Sequence, residues 1–251
     1  MTKQKQLLLV PAVIATGMMS FAGVLIETAM NVTFPTLIRQ FDLTTAQVQW
    51  VTTIYLLMIS IIVPLSTYLN RNFSLKKLFL ASNLLFLAGI MIDFFSPTFM
   101  VLLFGRLLQG AATGIALPLM FHIILTFAPL NRRGAMMGVG TLTTAIAPAI
   151  GPTYGGIMTS HFTWNHIFLF LVPILILSLI IGWFAIPEMA VQKNGYLDWW
   201  SVLGIFLLFS GSLTFLSTLG TLSSWIALII GGIGWFLFYY PFFQIKHSVC
   251  F

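Results

Sequence analysis

The sequence has little charge. Charged residues make up 6% of its 251 positions and hydrophobic ones 59%, whereas a soluble domain carries roughly 25% charged residues. Too few charges remain to coat a water-facing surface, which excludes an ordinary soluble enzyme. Carboxylates number five and histidines four. The single cysteine, Cys250, excludes an intramolecular disulfide and a thiolate metal cage. There is no glycine loop ending in Lys-Ser/Thr, no His-Glu-x-x-His and no Gly-x-Ser-x-Gly. Enzyme chemistry therefore has no constellation to stand on, and no cofactor is required. The formal charge of +6 comes from basic residues in short segments between apolar runs. That pattern sets membrane topology and does not mark a nucleic-acid surface.

What the chain does have is long apolar runs. Eight can be cut at charge and turn signals, at about 7–34, 47–69, 78–96, 99–128, 134–158, 166–187, 199–219 and 224–243. A hydrocarbon core of ~30 Å needs about 20 apolar residues per helix. The runs lack period-2 alternation, so helices rather than strands satisfy the backbone in lipid. The first run is too long for a signal-peptide core and is read as a true span. The expected class is an all-α polytopic membrane protein. With a cytoplasmic N-terminus, the inside segments hold Lys3, Lys5, Arg71, Lys76, Lys77, Arg132, Arg133, Lys193 and Lys246, and the outside segments only Arg39. This bias puts both termini in the cytoplasm.

Charges within spans are costly, by about 2.5–3.5 kcal/mol on insertion scales, and face the bundle interior. Glu27 in span one follows Thr16, Ser20 and Gly23 and precedes Asn31 on one helical face. Arg106 in span four shares a face with Gln109, Gly110 and Thr113. Counted from Pro35 and Pro97 at ~1.5 Å per residue, both lie roughly 10 Å below the outer surface and are expected to pair. Such a pair is either a structural lock or a protonation switch. Loss of water favours a neutral carboxyl, and a neighbouring guanidinium favours the ionised one. Asp93, four residues before Pro97, is expected to reach the interface. His122 is read as a packed or snorkelling side chain. His161 and His166 flank a short turn without a third ligand, so no metal site is expected. Span five carries a small-residue stripe, Gly140, Thr144, Ala147, Gly151 and Gly155, with Pro148 and Pro152 on or beside it. Small residues allow close helix approach and the prolines a bend.

These residues resemble motifs of the major facilitator superfamily, specifically its fourteen-helix branch of drug–proton antiporters. Gly138, Ala147, Gly151, Pro152 and Gly155 stand at the spacing of that branch's antiporter motif, with Ala147 replacing a glycine. Gly105-Arg106-Leu107-Leu108-Gln109-Gly110 matches the family's Arg-x-x-Gln-Gly element. The run from Glu27 to Pro35 is similar to the branch's first-helix motif, with Glu27 where aspartate is usual. Span two is similar in Gln49-Trp50-Val51, Tyr55 and Pro64. Trp164 to Pro173 resembles the start of its sixth helix, with Leu171 in place of asparagine, and Leu197-Asp198-Trp199 the start of its seventh. The loop after span two keeps Leu69, Lys76 and Lys77, but Thr67, Arg71 and Ser74 replace the usual Gly, Asp and Gly. Arg71 cannot serve as the acid of the family's cytoplasmic latch.

The resemblance implies a six-helix bundle over 1–187, two linking helices over 188–251, and a further six-helix bundle beyond this chain. It implies a multi-pass protein of the cell membrane that exports hydrophobic and cationic compounds against protons. Glu27 and Arg106 would couple protons, while Asn31, Tyr55 and Gln109 would contact substrate. The proton gradient supplies the energy. Two other readings are an inactive truncated membrane protein or subunit, and an exporter of a lipid or metabolite.

Overall fold

The computed structural model describes residues 8–188, 199–217 and 225–237. Lys3, Lys5, Lys193, Lys246, Leu197, Asp198 and Cys250 lie outside them. The chain divides into two compact units, Met1–Lys193 and Asn194–Phe251. The first contains α1 (Leu9–Phe41), a short α2 (Thr45–Val48), α3 (Trp50–Asn72), α4 (Leu75–Phe94), α5 (Phe99–Phe127), α6 (Leu130–His161), a short α7 (His166–Leu169) and α8 (Val172–Ala185). The second contains α9 (Trp199–Ser217) and α10 (Trp225–Leu237). Among the described residues no strand occurs, and six helical stretches are long and apolar enough to cross a membrane. They coincide with the first six runs of the sequence. The seventh and eighth runs contain α9 and α10.

Local chemistry sets the helix ends. α1 does not stop before Pro35. It runs on to Phe41 and ends where Asp42 adopts a left-handed conformation (φ 52°), its N–H returning to Ile38 O. Aspartate tolerates this region better than most residues. A proline inside α1 removes one donor but does not end the helix, because packed neighbours hold it. Ser74 caps α4 by accepting from Lys77 N, so the poorly matched loop position has a structural task of its own. α6 is continuous through Pro148 and Pro152. Two buried hydroxyls are satisfied locally: Thr16 and Thr113 donate to carbonyls one turn back in their own helices, at 2.9 Å each.

α1 lies against α6, α8 and α5, while α5 lies against α4, α3 and α1. The first and fourth spans thus each pack on the last two spans of the opposite triplet. This cross-packing has the form of an inverted 3+3 repeat, which the sequence shows only through the two deep charges of those spans. At one end of the unit the start of α1, the end of α5 and the end of α8 meet around Leu8, Ile123 and Ala185, and Lys76 Nζ lies 4.7 Å from the Trp183 ring centre. At the other end Trp164 Nε1 donates to Gln40 Oε1 (2.6 Å), Asn165 Nδ2 to Phe94 O (3.1 Å), and the Trp164 ring stands edge-on to Phe41.

The α1–α6 contact depends on absent side chains. A Cβ on Gly155 would sit 2.6 Å from Ala29 O, and one on Gly151 would strike Thr28. Ala147 of the same stripe is fully buried, whereas added methyls on Gly138 and Gly156 would meet nothing. Gly155→Ala is therefore expected to lower stability by roughly 1–3 kcal/mol through overpacking. Gly156→Ala, one residue away, is expected to be neutral or stabilising by up to about 1 kcal/mol through helix propensity. Thermal unfolding of the two variants in detergent checks the pair.

Candidate functional site

α5 crosses the middle of the first unit and presents Arg106, Gln109 and Thr113 on one face. All three are fully buried. Arg106 Nε donates to Val51 O of α3 (3.1 Å) and Nη1 to Gln109 Oε1 (2.8 Å). The guanidinium carbon lies 4.3 Å from the centre of the Tyr55 ring, a cation–π contact that is strong where water is excluded. Tyr55 is itself fixed. Its hydroxyl donates to Gly23 O of α1 (2.8 Å) and contacts Thr113 Oγ1 (3.0 Å). Gln109 Nε2 donates to Asp93 Oδ2 of α4 (2.8 Å). A chain of three hydrogen bonds and one cation–π contact, the latter between Arg106 and Tyr55, therefore joins α4, α5, α3 and α1 in the order Asp93, Gln109, Arg106, Tyr55, Gly23.

Glycines make room for the chain. A Cβ on Gly105 would collide with the Asp93 carboxylate. One on Gly89 would sit 2.8 Å from Gln109 Cγ, and one on Gly110 2.5 Å from Tyr55 O. In the Gly-Arg-x-x-Gln-Gly element, the charged and amide side chains make the bonds. The two glycines let α4 and α3 come close enough to receive them.

Several expectations need correction. Asp93 does not reach the interface. It is fully buried and bonded to Gln109. Among the described residues, Glu27 is not a hydrogen-bond partner of Arg106, whose bonds go to Val51 and Gln109. Glu27 is partly exposed and acts on Arg106 only electrostatically, as Asp93 also does. Tyr55 and Gln109 are fully buried and both contact the guanidinium. Asn31 is exposed and its Oδ1 accepts from Thr52 Oγ1 of α3 (3.1 Å). The polar stripe of α1 thus starts inside the bundle at Thr16 and Ser20 and emerges at Glu27 and Asn31. The reason is geometric: the face that contacts α5 near Gly23 turns outward a helical turn later.

His122 is partly exposed on α5. His166 packs edge-on to Phe94, with Nδ1 2.8 Å from Thr163 Oγ1. Among the described residues no three His, Cys, Asp or Glu gather to hold a metal. A second buried chain escaped the sequence reading. Asn83 Nδ2 of α4 donates to Ser178 Oγ of α8 (3.1 Å), which donates to Ala15 O of α1 (2.8 Å). Its only signal is an asparagine and a serine within otherwise apolar runs.

Six membrane-length helices around a dry charged network define a multi-pass helical membrane protein with polar machinery inside its bundle. The chain belongs to the Major Facilitator Superfamily, whose sequence profile matches residues 16–247. It is 37% identical over 235 residues to the lincomycin resistance protein LmrB of Listeria monocytogenes, covering 91% of this chain and 50% of that protein. It is 29% identical over 170 residues to the multidrug export protein EmrB of Haemophilus influenzae, covering 68% and 33%. The chain thus spans about half the length of its lincomycin-resistance relatives. The crystal structure of a D-xylose–proton symporter shares the fold, with a TM-score of 0.60 and 13% identity over 97% of this chain and 69% of that one. So does a bacterial homologue of the lysosomal transporter Spinster, with a TM-score of 0.58 and 15% identity over 96% and 59%. The family is one of carriers, and the chain is not an enzyme.

Removing the guanidinium strands Asp93 and Gln109 in a dry interior. Arg106→Met is expected to destabilise the unit by roughly 3–5 kcal/mol, the usual effect of stripping one member from a buried charge network. Tyr55→Phe keeps the ring over the guanidinium and loses only the hydroxyl bonds, so a loss of about 1 kcal/mol is expected. Thermal unfolding monitored by size-exclusion chromatography ranks the two.

Proposed function

We propose that the complete transporter to which this chain belongs exports hydrophobic and cationic compounds in exchange for protons across the cell membrane. Residues 1–187 form its first six-helix bundle and 188–251 two linking helices. A second six-helix bundle faces the first and closes the substrate cavity. Both termini of this chain face the cytoplasm, in keeping with Arg71, Lys76, Lys77, Arg132 and Arg133 at one end of the helices.

One observation carries the reading: Glu27 stands at the edge of a buried network whose cation, Arg106, cannot leave. The names of the relatives, lincomycin resistance and multidrug export, support drug export over the other readings. Glu27 binds and releases the proton. Arg106 favours its ionised form until a proton or a substrate cation competes. Asn31, exposed beside Glu27, offers a polar contact to substrate, while Tyr55 and Gln109 hold Arg106 in place. Gly151 and Gly155 of the motif running from Gly138 keep α6 tight on α1, next to Glu27, and limit proton leak. No cofactor takes part, since the gradient drives the cycle.

The test is proton-driven ethidium efflux from proteoliposomes holding the complete transporter. Glu27→Gln is expected to abolish pH-dependent efflux while leaving folded protein. Wild-type coupling in that variant removes Glu27 from its role.

A further inference from the structure

A guanidinium stays charged at any physiological pH. Arg106, fully buried, therefore needs a negative group nearby at every stage of a cycle. If Glu27 takes up a proton, it stops being one. A second carboxylate is then required, and α4 supplies it. Asp93 is fully buried, and Gln109 Nε2 donates to its Oδ2 while Gln109 Oε1 accepts from Arg106. The amide is oriented by the two ions, with its oxygen to the cation and its NH2 to the anion. One atom of each ion, Asp93 Oδ1 and Arg106 Nη2, is buried without a partner. The bond from Gln109 does not itself call for an acid, because an asparagine oxygen would accept it equally. What the carboxylate adds is charge. Gly105 leaves the space in which it sits.

The charged and titratable neighbours are few. Glu27 of α1, Tyr55 of α3 and Asp93 of α4 act on Arg106, and Arg106 with Gln109 acts on Asp93. α8 carries no ionisable side chain. His166 of α7 packs on Phe94, and the Tyr154 hydroxyl of α6 donates to Ile167 O. The two carboxylates thus share one cation from different helices.

We propose that Asp93 is the resident counter-ion of Arg106, held one amide away by Gln109, and that it sets the pH at which Glu27 exchanges its proton. The inference rests on the assignment of proton exchange to Glu27. Both carboxylates act on Arg106, so neutralising Asp93 removes the negative charge that offsets the field of Arg106. This favours ionised Glu27, so more protons are needed to discharge it.

Ethidium efflux from proteoliposomes holding the complete transporter, measured against pH, tests this. Asp93→Asn keeps the shape and the acceptor for Gln109. It is expected to move the midpoint of the profile to lower pH by roughly one unit, a tenfold change in proton concentration. Adding Gln109→Glu to that variant places a carboxylate against Arg106 and is expected to move the midpoint back up. A midpoint unmoved by Asp93→Asn overturns the proposal and leaves Asp93 a packing group, while loss of pH dependence in Glu27→Gln keeps the reading of Glu27 intact. Retained pH dependence in Glu27→Gln overturns both. If Asp93→Asn alone does not fold, the double variant decides: folded protein with pH-dependent efflux supports a role for charge, and unfolded protein overturns it.

Discussion

A positive charge that cannot be discharged is held in the driest part of the bundle, and the first unit is built around keeping it there. Arg106 takes a backbone carbonyl from α3, a side-chain oxygen from its own helix and a ring face from Tyr55. Two carboxylates on two other helices act on it at longer range. Burying an ion in a low-dielectric medium costs several kcal/mol unless neighbours compensate. Here the compensation is spread over four helices. Each hydrogen bond of the network joins groups that have no access to water, so the network ties α1, α3, α4 and α5 together.

Close approach makes this spread possible. The groups that reach Arg106 and its partners arrive because glycines remove the Cβ atoms that would keep the helices apart. Gly105 and Gly89 sit where α4 meets α5, Gly110 where α3 meets it, and Gly23 where α1 does. The same device recurs at Gly151 and Gly155 between α6 and α1, on the far side of Glu27. In lipid, where apolar contact between helices has no hydrophobic drive, packing and hydrogen bonds do the joining. The result is a closely packed interior with one acidic residue, Glu27, left partly exposed at its margin.

Much of this was legible in the amino-acid order. Run length and polarity placed six helices, and the cost of intramembrane charge singled out Arg106 and Glu27. The glycines at 151 and 155 announced a tight contact. Other features were hidden for physical reasons. Counting from a proline placed Asp93 at the surface, yet α4 ends at Phe94 and its last turn still faces α5, with Asn165 bonded across Phe94 O. Depth along a helix says nothing about azimuth. Pro35 looked like an end, but α1 passes through it. A direct Glu27–Arg106 pair followed from equal depth alone, whereas α1 had already begun to turn its polar stripe outward. The Asn83–Ser178 bridge joins residues far apart in sequence, and nothing local marks either as a partner.

The central claim is that the Arg106 guanidinium is dry and bonded to an amide rather than solvated. Hydrogen exchange at arginine Nε–H groups, followed by NMR on the chain in nanodiscs, addresses it directly, with the signal assigned by its disappearance in Arg106→Lys. The account predicts that this one Nε–H, bonded to Val51 O, persists in deuterated water and that the Nη–H protons of the same guanidinium show a through-space contact to the side-chain amide of Gln109, while the Nε–H groups of Arg39, Arg71 and Arg132 exchange quickly. Exchange at Arg106 as fast as at Arg132, without contact to that amide, would contradict it.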